Sequence, residues 1–195
     1  MADHDARFKQ LYEDNSHLIL CYALRRTSEP EDAADVVAET FTVAWRRRDE
    51  VPDGGQGRLW LYGVARRVLA NQRRGRLRRD RLTTQLHDEL PRLGALVTAP
   101  ADDADLEAIA AAFRRLPGDD REILALVGWE GLDREEVAQV LGCSRANVRV
   151  RLHRARRRFA RELEMEMEQT TQRSSVAGHE SDRWAVAHPG RRQAL

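Results

Sequence analysis

Apolar side chains recur three and four positions apart along most of the chain, the spacing that gathers them on one face of a helix. Phe8, Leu11, Tyr12, Leu18, Ile19, Tyr22 and Ala23 predict a first helix or helix pair over about 5–26. Ser28-Glu29-Pro30-Glu31 reads as a capping box that opens a second helix, and Val36, Val37, Thr40, Phe41, Ala44 and Trp45 carry its apolar stripe to about Arg48. The turn formers of Val51-Pro52-Asp53-Gly54-Gly55-Gln56-Gly57 predict a loop. A third helix, about Arg58 to Arg74, turns Leu61, Val64, Ala65, Val68 and Leu69 inward, and Gly75 is expected to end it.

From Leu77 to about Asp103 the period decays through Pro91, Gly94 and Pro100, which predicts a linker. The pattern resumes with Leu106, Ile109, Ala110, Phe113 and Leu116, stops at Pro117-Gly118, and resumes again with Ile123, Leu124, Val127 and Trp129. Asp133 then caps an acidic first turn, which suits the positive end of a helix dipole. The expected fold class is all-α, two small helical domains at 1–80 and 105–167 joined by a flexible linker at 81–104, with a disordered tail at 168–195. No internal repeat relates the two domains.

The segment from Asp133 to Phe159, DREEVAQVLGCSRANVRVRLHRARRRF, sharpens this picture. Val137, Ala138 and Leu141 form one inner face, and Gly142-Cys143-Ser144 supplies a tight turn whose glycine tolerates a left-handed backbone. The next helix places Val148, Leu152, Ala155, Phe159 and Leu163 on one side, so that Val150, His153, Arg154 and Arg157 point the other way. This is the pattern of a helix-turn-helix, whose second helix enters the major groove of DNA.

Charge supports that reading. The net charge is only +1, but Lys9 is the single lysine and the positive charge is gathered in arginine blocks. Positions 145–161 hold eight arginines and no acid. Like charges one turn apart, such as Arg145 with Arg149 and Arg154 with Arg158, repel each other, and DNA phosphates would relieve that repulsion. A second basic block places Arg58, Arg66, Arg67, Asn71, Gln72, Arg73 and Arg74 beside Trp60 and Tyr62, where cations next to aromatic faces could hold unpaired bases. For Trp45 and Trp60 alone, helical spacing favours the core.

Other classes find little support. A mean hydropathy of -0.64 with 33% charged residues is that of a soluble chain, and the acidic start from Met1 to Asp5 does not resemble a secretory signal, so a cytoplasmic protein is expected. Cys21 and Cys143 stand apart and are expected as small buried thiols, with no metal and no cofactor. His4, His17, His87, His153, His179 and His188 are scattered, and no catalytic constellation is visible, so no enzymatic activity is expected. A stand-alone helix-turn-helix regulator is the alternative; it calls for a dimer interface and an effector pocket.

Two stretches, EDAADVVAETFTVAWRRRDEVP at 31–52 and GRLWLYGVARRVLANQRRG at 57–75, resemble the second conserved domain of the extracytoplasmic-function (ECF) sigma factors, group IV of the sigma-70 family. The segment at 133–159 resembles their fourth domain. The resemblance implies a promoter-specificity subunit that binds the RNA polymerase core, at the clamp helices of its largest subunit and the flap of the second largest, together with promoter DNA. It marks Asp35, Glu39, Thr42 and Arg46 for polymerase. It marks Arg58, Trp60, Arg66, Arg67, Asn71, Arg73 and Arg74 for the minus-ten element. For the minus-thirty-five element it marks Arg149, Val150, His153, Arg154 and Arg156, with Arg145, Asn147, Arg151 and Arg157 beside them. Arg67 stands where relatives often carry asparagine, which bears on minus-ten preference. The linker, with Asp88, Glu89, Asp102 and Asp103, would run through the polymerase cleft, and an anti-sigma factor is a further possible partner.

Overall fold

A computed structural model describes the backbone of residues 2–80 and 103–187, and the side chains of 4–76 and 105–169. All regular structure among these residues is helical: α1 (Ala2–Leu24), α2 (Pro30–Arg46), α3 (Gly55–Asp80), α4 (Asp103–Arg115), α5 (Gly118–Gly128), α6 (Arg134–Leu141) and α7 (Arg145–Ala187), with one 3-10 turn at Arg48–Glu50. The expected linker lies almost wholly outside the described residues.

The N-terminal domain is a three-helix unit. Ile19, Tyr22 and Ala23 of α1, Val36, Phe41 and Ala44 of α2, and Leu59, Leu61, Tyr62, Val64, Ala65, Val68 and Leu69 of α3 fill its core. The second helix does not begin as the capping box implied. Its N-cap is Glu29, no side chain caps it, and Pro30 in the first turn starts it instead, because proline has no N–H to leave unsatisfied. The third helix runs through Gly75 to Asp80. Glycine costs a helix only about 1 kcal/mol, and the salt bridge from Arg76 to Asp32 of α2 carries the helix across it.

The loop between α2 and α3 is fastened to α1. Arg7 donates to the carbonyl of Val51 at 2.7 Å and pairs with Asp53 at 2.6 Å. Gly57 allows the close fit, since a Cβ there would stand 2.9 Å from the Pro52 carbonyl oxygen and 3.2 Å from Leu11 Cδ1.

In the C-terminal domain α4, α5 and α6 pack on α7. Asp133 caps α6 by accepting from the amides of Glu135 at 2.7 Å and Glu136 at 2.9 Å, while Glu136 accepts from the Asp133 amide at 2.9 Å. Gly142, at φ 63°, ends α6 in the left-handed conformation, with the Cys143 amide donating to the Ala138 carbonyl at 3.0 Å. Ser144 Oγ then accepts from the Asn147 amide at 3.2 Å and opens α7. The chain from 168 to 187, expected to be disordered, continues α7.

The two domains pack against each other, and one buried core runs through both. Their contact centres on charge. Arg26 donates to Glu122 at 2.8 Å and to Glu130 at 3.1 Å, Arg25 donates to Glu130 at 2.5 Å, and the Tyr22 hydroxyl donates to Glu122 at 2.7 Å. The Arg26 guanidinium also lies 3.6 Å from the Tyr22 ring centroid. Burial favours protonated Glu122, but the Arg26 charge and the hydrogen bonds from Arg26 and Tyr22 outweigh it and hold the carboxyl below its ordinary value. Burial, reinforced by the nearby carboxylates and opposed by Arg26, raises the Tyr22 phenol well above its own.

Two outcomes follow from this packing. Gly57→Val should destabilise the N-terminal domain by about 1–3 kcal/mol through overpacking against Pro52 and Leu11, read as a lower urea midpoint. For the interdomain contact, a carboxyl held below its ordinary value stabilises the contact above the free glutamate pKa of roughly 4.3. That stabilisation is lost as pH falls through the lower native value. Fluorescence energy transfer between dyes on α2 and α7 should therefore stay constant from neutral pH to about pH 5 and fall only under stronger acid; a fall centred near pH 6 would contradict this.

Candidate nucleic-acid and polymerase interfaces

Three surfaces collect the residues singled out from the sequence. The first lies on α2, where Asp35, Glu39, Thr42 and Arg46 are spaced four, three and four apart and are all exposed. Such spacing makes one face of a helix. The buried residues of α2, Ala33, Val36, Thr40, Phe41 and Ala44, occupy the opposite side.

The second surface is α3. Arg67, Asn71, Arg73 and Arg74 are exposed, and Arg58 and Arg66 are half-buried. Arg58 pairs with Glu136 of α6 at 3.1 Å, and Arg73 reaches the Arg26 carbonyl at 3.5 Å. The aromatics divide. Trp60 is partly buried against the core, and Tyr62 is 2% exposed, its ring 5.2 Å from that of Tyr22, so Tyr62 offers no face to a base here. Trp45, expected in the core, is 41% exposed and lies edge-on to Phe8 at 4.9 Å. It falls at the end of α2, where the helix leaves the three-helix core.

The third surface is α7. Val148, Leu152 and Ala155 are buried, and Arg145, Asn147, Arg149, Val150, His153, Arg154, Arg156 and Arg157 are exposed on the remaining faces. Val150 is 43% exposed among these polar side chains, an apolar contact of the kind that meets a thymine methyl. Arg151 departs from the rest: it is half-buried and turns toward Asp119 of α5 at 3.9 Å. Arg158 pairs with Asp120 of α5.

Sequence reasoning missed the groups that hold these surfaces in place. Arg7, which fastens the α2–α3 loop, is one surface arginine among many. Arg25, Arg26, Glu122 and Glu130, which join the domains, lie about a hundred positions apart in sequence, and no local spacing links them. Both cysteines are free, as expected, but half-buried rather than buried, with Cys21 Sγ 3.2 Å from His17 Nδ1 on the next turn of α1. Among the described residues no group of three or more metal-ligating side chains occurs, and no helix is long and apolar enough to cross a membrane.

Comparison with known proteins assigns both domains. The model for sigma-70 region 2 matches residues 11–79, and that for sigma-70 region 4 matches 106–159. The ECF RNA polymerase sigma factor SigL of Mycobacterium tuberculosis is 29% identical over 157 residues, 79% of this chain and 87% of SigL. The RNA polymerase sigma factor NccH of Alcaligenes xylosoxydans xylosoxydans is 31% identical over 142 residues, 70% of this chain and 76% of NccH. Among solved structures, the sigma factor RpoE in complex with the anti-sigma factor NepR from Bartonella quintana superposes with a TM-score of 0.65 at 27% identity, covering 80% of this chain and 96% of RpoE. CnrH, in complex with the cytosolic domain of CnrY, gives a TM-score of 0.55 at 26% identity, covering 81% of this chain and 88% of CnrH. With both sigma-70 regions present in order and relatives matched along most of their length, the chain belongs to the ECF sigma factors of the sigma-70 family, the promoter-specificity subunits of RNA polymerase.

Proposed function

We propose a division of labour among the three surfaces. The face of α2 bearing Asp35, Glu39, Thr42 and Arg46 docks on the clamp helices of the largest polymerase subunit, and the C-terminal domain meets the flap of the second largest. The loop before α3 and the cationic side chains of α3, Arg58, Arg66, Arg67, Asn71, Arg73 and Arg74, hold the melted minus-ten strand, with Trp60 beside them. On α7, Arg149, Val150, His153, Arg154 and Arg156 read the minus-thirty-five element from the major groove. Arg145, Asn147 and Arg157 anchor phosphates, whereas Arg151, turned toward Asp119, leaves this set.

The observation that carries this reading is the exposed face of α7. Val150, His153 and Arg154 stand together on the second helix of a capped helix-turn-helix, in the same chain as a second cationic helix. Two separate nucleic-acid surfaces suit a subunit that holds two promoter elements at once. The linker and its acids would thread the polymerase cleft. The chain carries out no reaction of its own, works in the cytoplasm with polymerase, and is open to restraint by an anti-sigma factor. The domain limits follow the same division: 1–80 for minus-ten binding, 81–104 for the linker, and 105–167 for minus-thirty-five binding.

Run-off transcription with purified core polymerase and a pool of genomic promoter fragments tests the whole reading. Transcripts that appear only when the protein is added, and from a defined subset of promoters, are expected. Their absence, together with tight duplex binding by the protein alone, would point to a stand-alone regulator. Arg154→Ala should weaken promoter recognition by about 1–3 kcal/mol, concentrated at one minus-thirty-five position; a loss spread evenly over sequences would make Arg154 a phosphate contact. Asp35→Arg should weaken core-polymerase binding while leaving the melting temperature near that of the parent, and unchanged binding would remove Asp35 from the interface.

A further inference from the structure

The loop that joins α2 to α3 has little packing of its own. Pro52, Asp53, Gly54, Gly55 and Gln56 are all exposed, Gly54 takes a left-handed φ of 60°, and only Val51 and Gly57 at its two ends are buried. A cleft of about 310 Å³ lies between this loop, the end of α2 and the start of α1, lined by Phe8, Leu11, Asn15, Ala44 and Pro52. Dispersion attraction fixes a backbone only where atoms meet, so apolar contact across such a gap holds the loop weakly.

What spans the cleft is polar and comes from α1. Nη2 of Arg7 donates to the Val51 carbonyl at 2.7 Å and pairs with Asp53 at 2.6 Å, so a single guanidinium ties a main-chain group and a side chain of the same loop. His4, one turn earlier, lies 3.7 Å from Asp49. Leu11, one turn later, stands where a Cβ at position 57 would meet it at 3.2 Å. His4, Arg7 and Leu11 are three and four apart, and so turn one face of α1 toward the segment 49–57. The fastenings within that segment and its edge are short-range: Arg47 with Glu50, and the Gly57 amide donating to the Gly54 carbonyl at 3.0 Å. Arg7 and His4 also precede residue 11, where the match to sigma-70 region 2 begins.

The Arg7 side chain is 44% exposed and that of Asp53 is 89% exposed, and an exposed ion pair adds little stability. Its effect is on shape. A loop with two consecutive glycines has many conformations open to it, whereas a site that tells one base from another must present its groups in one.

We propose that Arg7 is a positioning residue for the minus-ten strand: from α1 it holds the 51–53 backbone in the conformation in which the loop distinguishes one base from another. The proposal deepens the promoter reading above and rests on it, since it takes the loop before α3 as part of the surface that holds the melted strand. Arg7 touches no DNA itself and acts through the loop.

The test is run-off transcription with purified core polymerase and the full chain. Its templates are one promoter that the parent protein transcribes and copies with single-base changes in the minus-ten or the minus-thirty-five element. Arg7→Ala should lower the discrimination against a changed minus-ten base about fivefold, the low end of what one mismatched base costs. Discrimination at the minus-thirty-five element, affinity for core polymerase and the melting temperature should stay near the parent values. Arg7→Lys should restore most of the loss, because an ammonium has donors enough for both the Val51 carbonyl and Asp53. Asp53→Asn keeps an acceptor but removes the charge, and should lower minus-ten discrimination by less. Added to Arg7→Ala it should lower it no further, since both act on one contact.

Parental minus-ten discrimination in Arg7→Ala would overturn the proposal. So would an equal loss at both elements, which would trace the effect to folding or assembly. Weaker transcription from every sequence in Arg7→Ala, with a gain in Asp53→Asn, would overturn it by making Arg7 a phosphate contact for which Asp53 competes. A parent protein that transcribes from no promoter would overturn the promoter reading and this one with it; the other outcomes bear on Arg7 alone.

Discussion

The arrangement of this protein depends on the pair of ion contacts that Arg26 makes across the domain boundary. Its side chain is 7% exposed, and its guanidinium lies over the Tyr22 ring and divides its donors between Glu122, Glu130 and the Tyr22 carbonyl. A buried ion pair adds little net stability, because removing both charges from water offsets most of their attraction, whereas removing one partner alone costs about 3–5 kcal/mol. The contact is therefore selective more than strong. It specifies which faces of the two domains meet, while the apolar surface of Ile123, Leu126 and Val140, continuous with the N-terminal core, supplies the attraction. An interface built this way can be exchanged for another charged partner at small net cost.

The same side-chain type serves two ends in the C-terminal domain. Arg151 and Arg158 turn toward Asp119 and Asp120 and fix α5 on α7, and Arg115 of α4 pairs with Glu166. The arginines left on the solvent side are those a duplex can reach. The charge of α7 is divided along its length: arginines dominate to position 161, and Glu162, Glu164, Glu166 and Glu168 follow. The acidic stretch follows the part of the helix assigned to the groove, where phosphates would repel it, and gives α4 a partner instead.

How much could be read from the sequence depended on how local each feature was. The helix-turn-helix was legible because its determinants lie within a few positions of one another: Asp133 with Glu136, a glycine with φ of 63° at 142, and Val148, Leu152 and Ala155 one turn apart. The division of α2 into a buried and an exposed face was legible for the same reason. Gly75 misled because one glycine weakens a helix without ending it when the flanking turns are anchored, and Ser28 misled because Pro30 had already set the start of α2. The helix beyond 168 was not legible, because Thr170, Thr171, Ser174, Ser175 and Gly178 are weak helix formers and no apolar stripe marks it. The domain contact was out of reach, since Arg26 and Glu130 are 104 positions apart and neither belongs to a pattern that names the other.

The placement of the α2 face has a consequence for the order of events. Asp35, Glu39, Thr42 and Arg46 are exposed while the domains are closed, whereas Arg58 and Arg66 on α3 are partly covered. A polymerase that docks on α2 meets a surface already formed and pays no opening cost at that step. DNA that docks on α3 must first displace Glu136. Affinity for a covered site is reduced by the fraction of molecules in which it is open, so with the domains packed the faces of α2 and α7 are ready for a partner and the base of α3 is not.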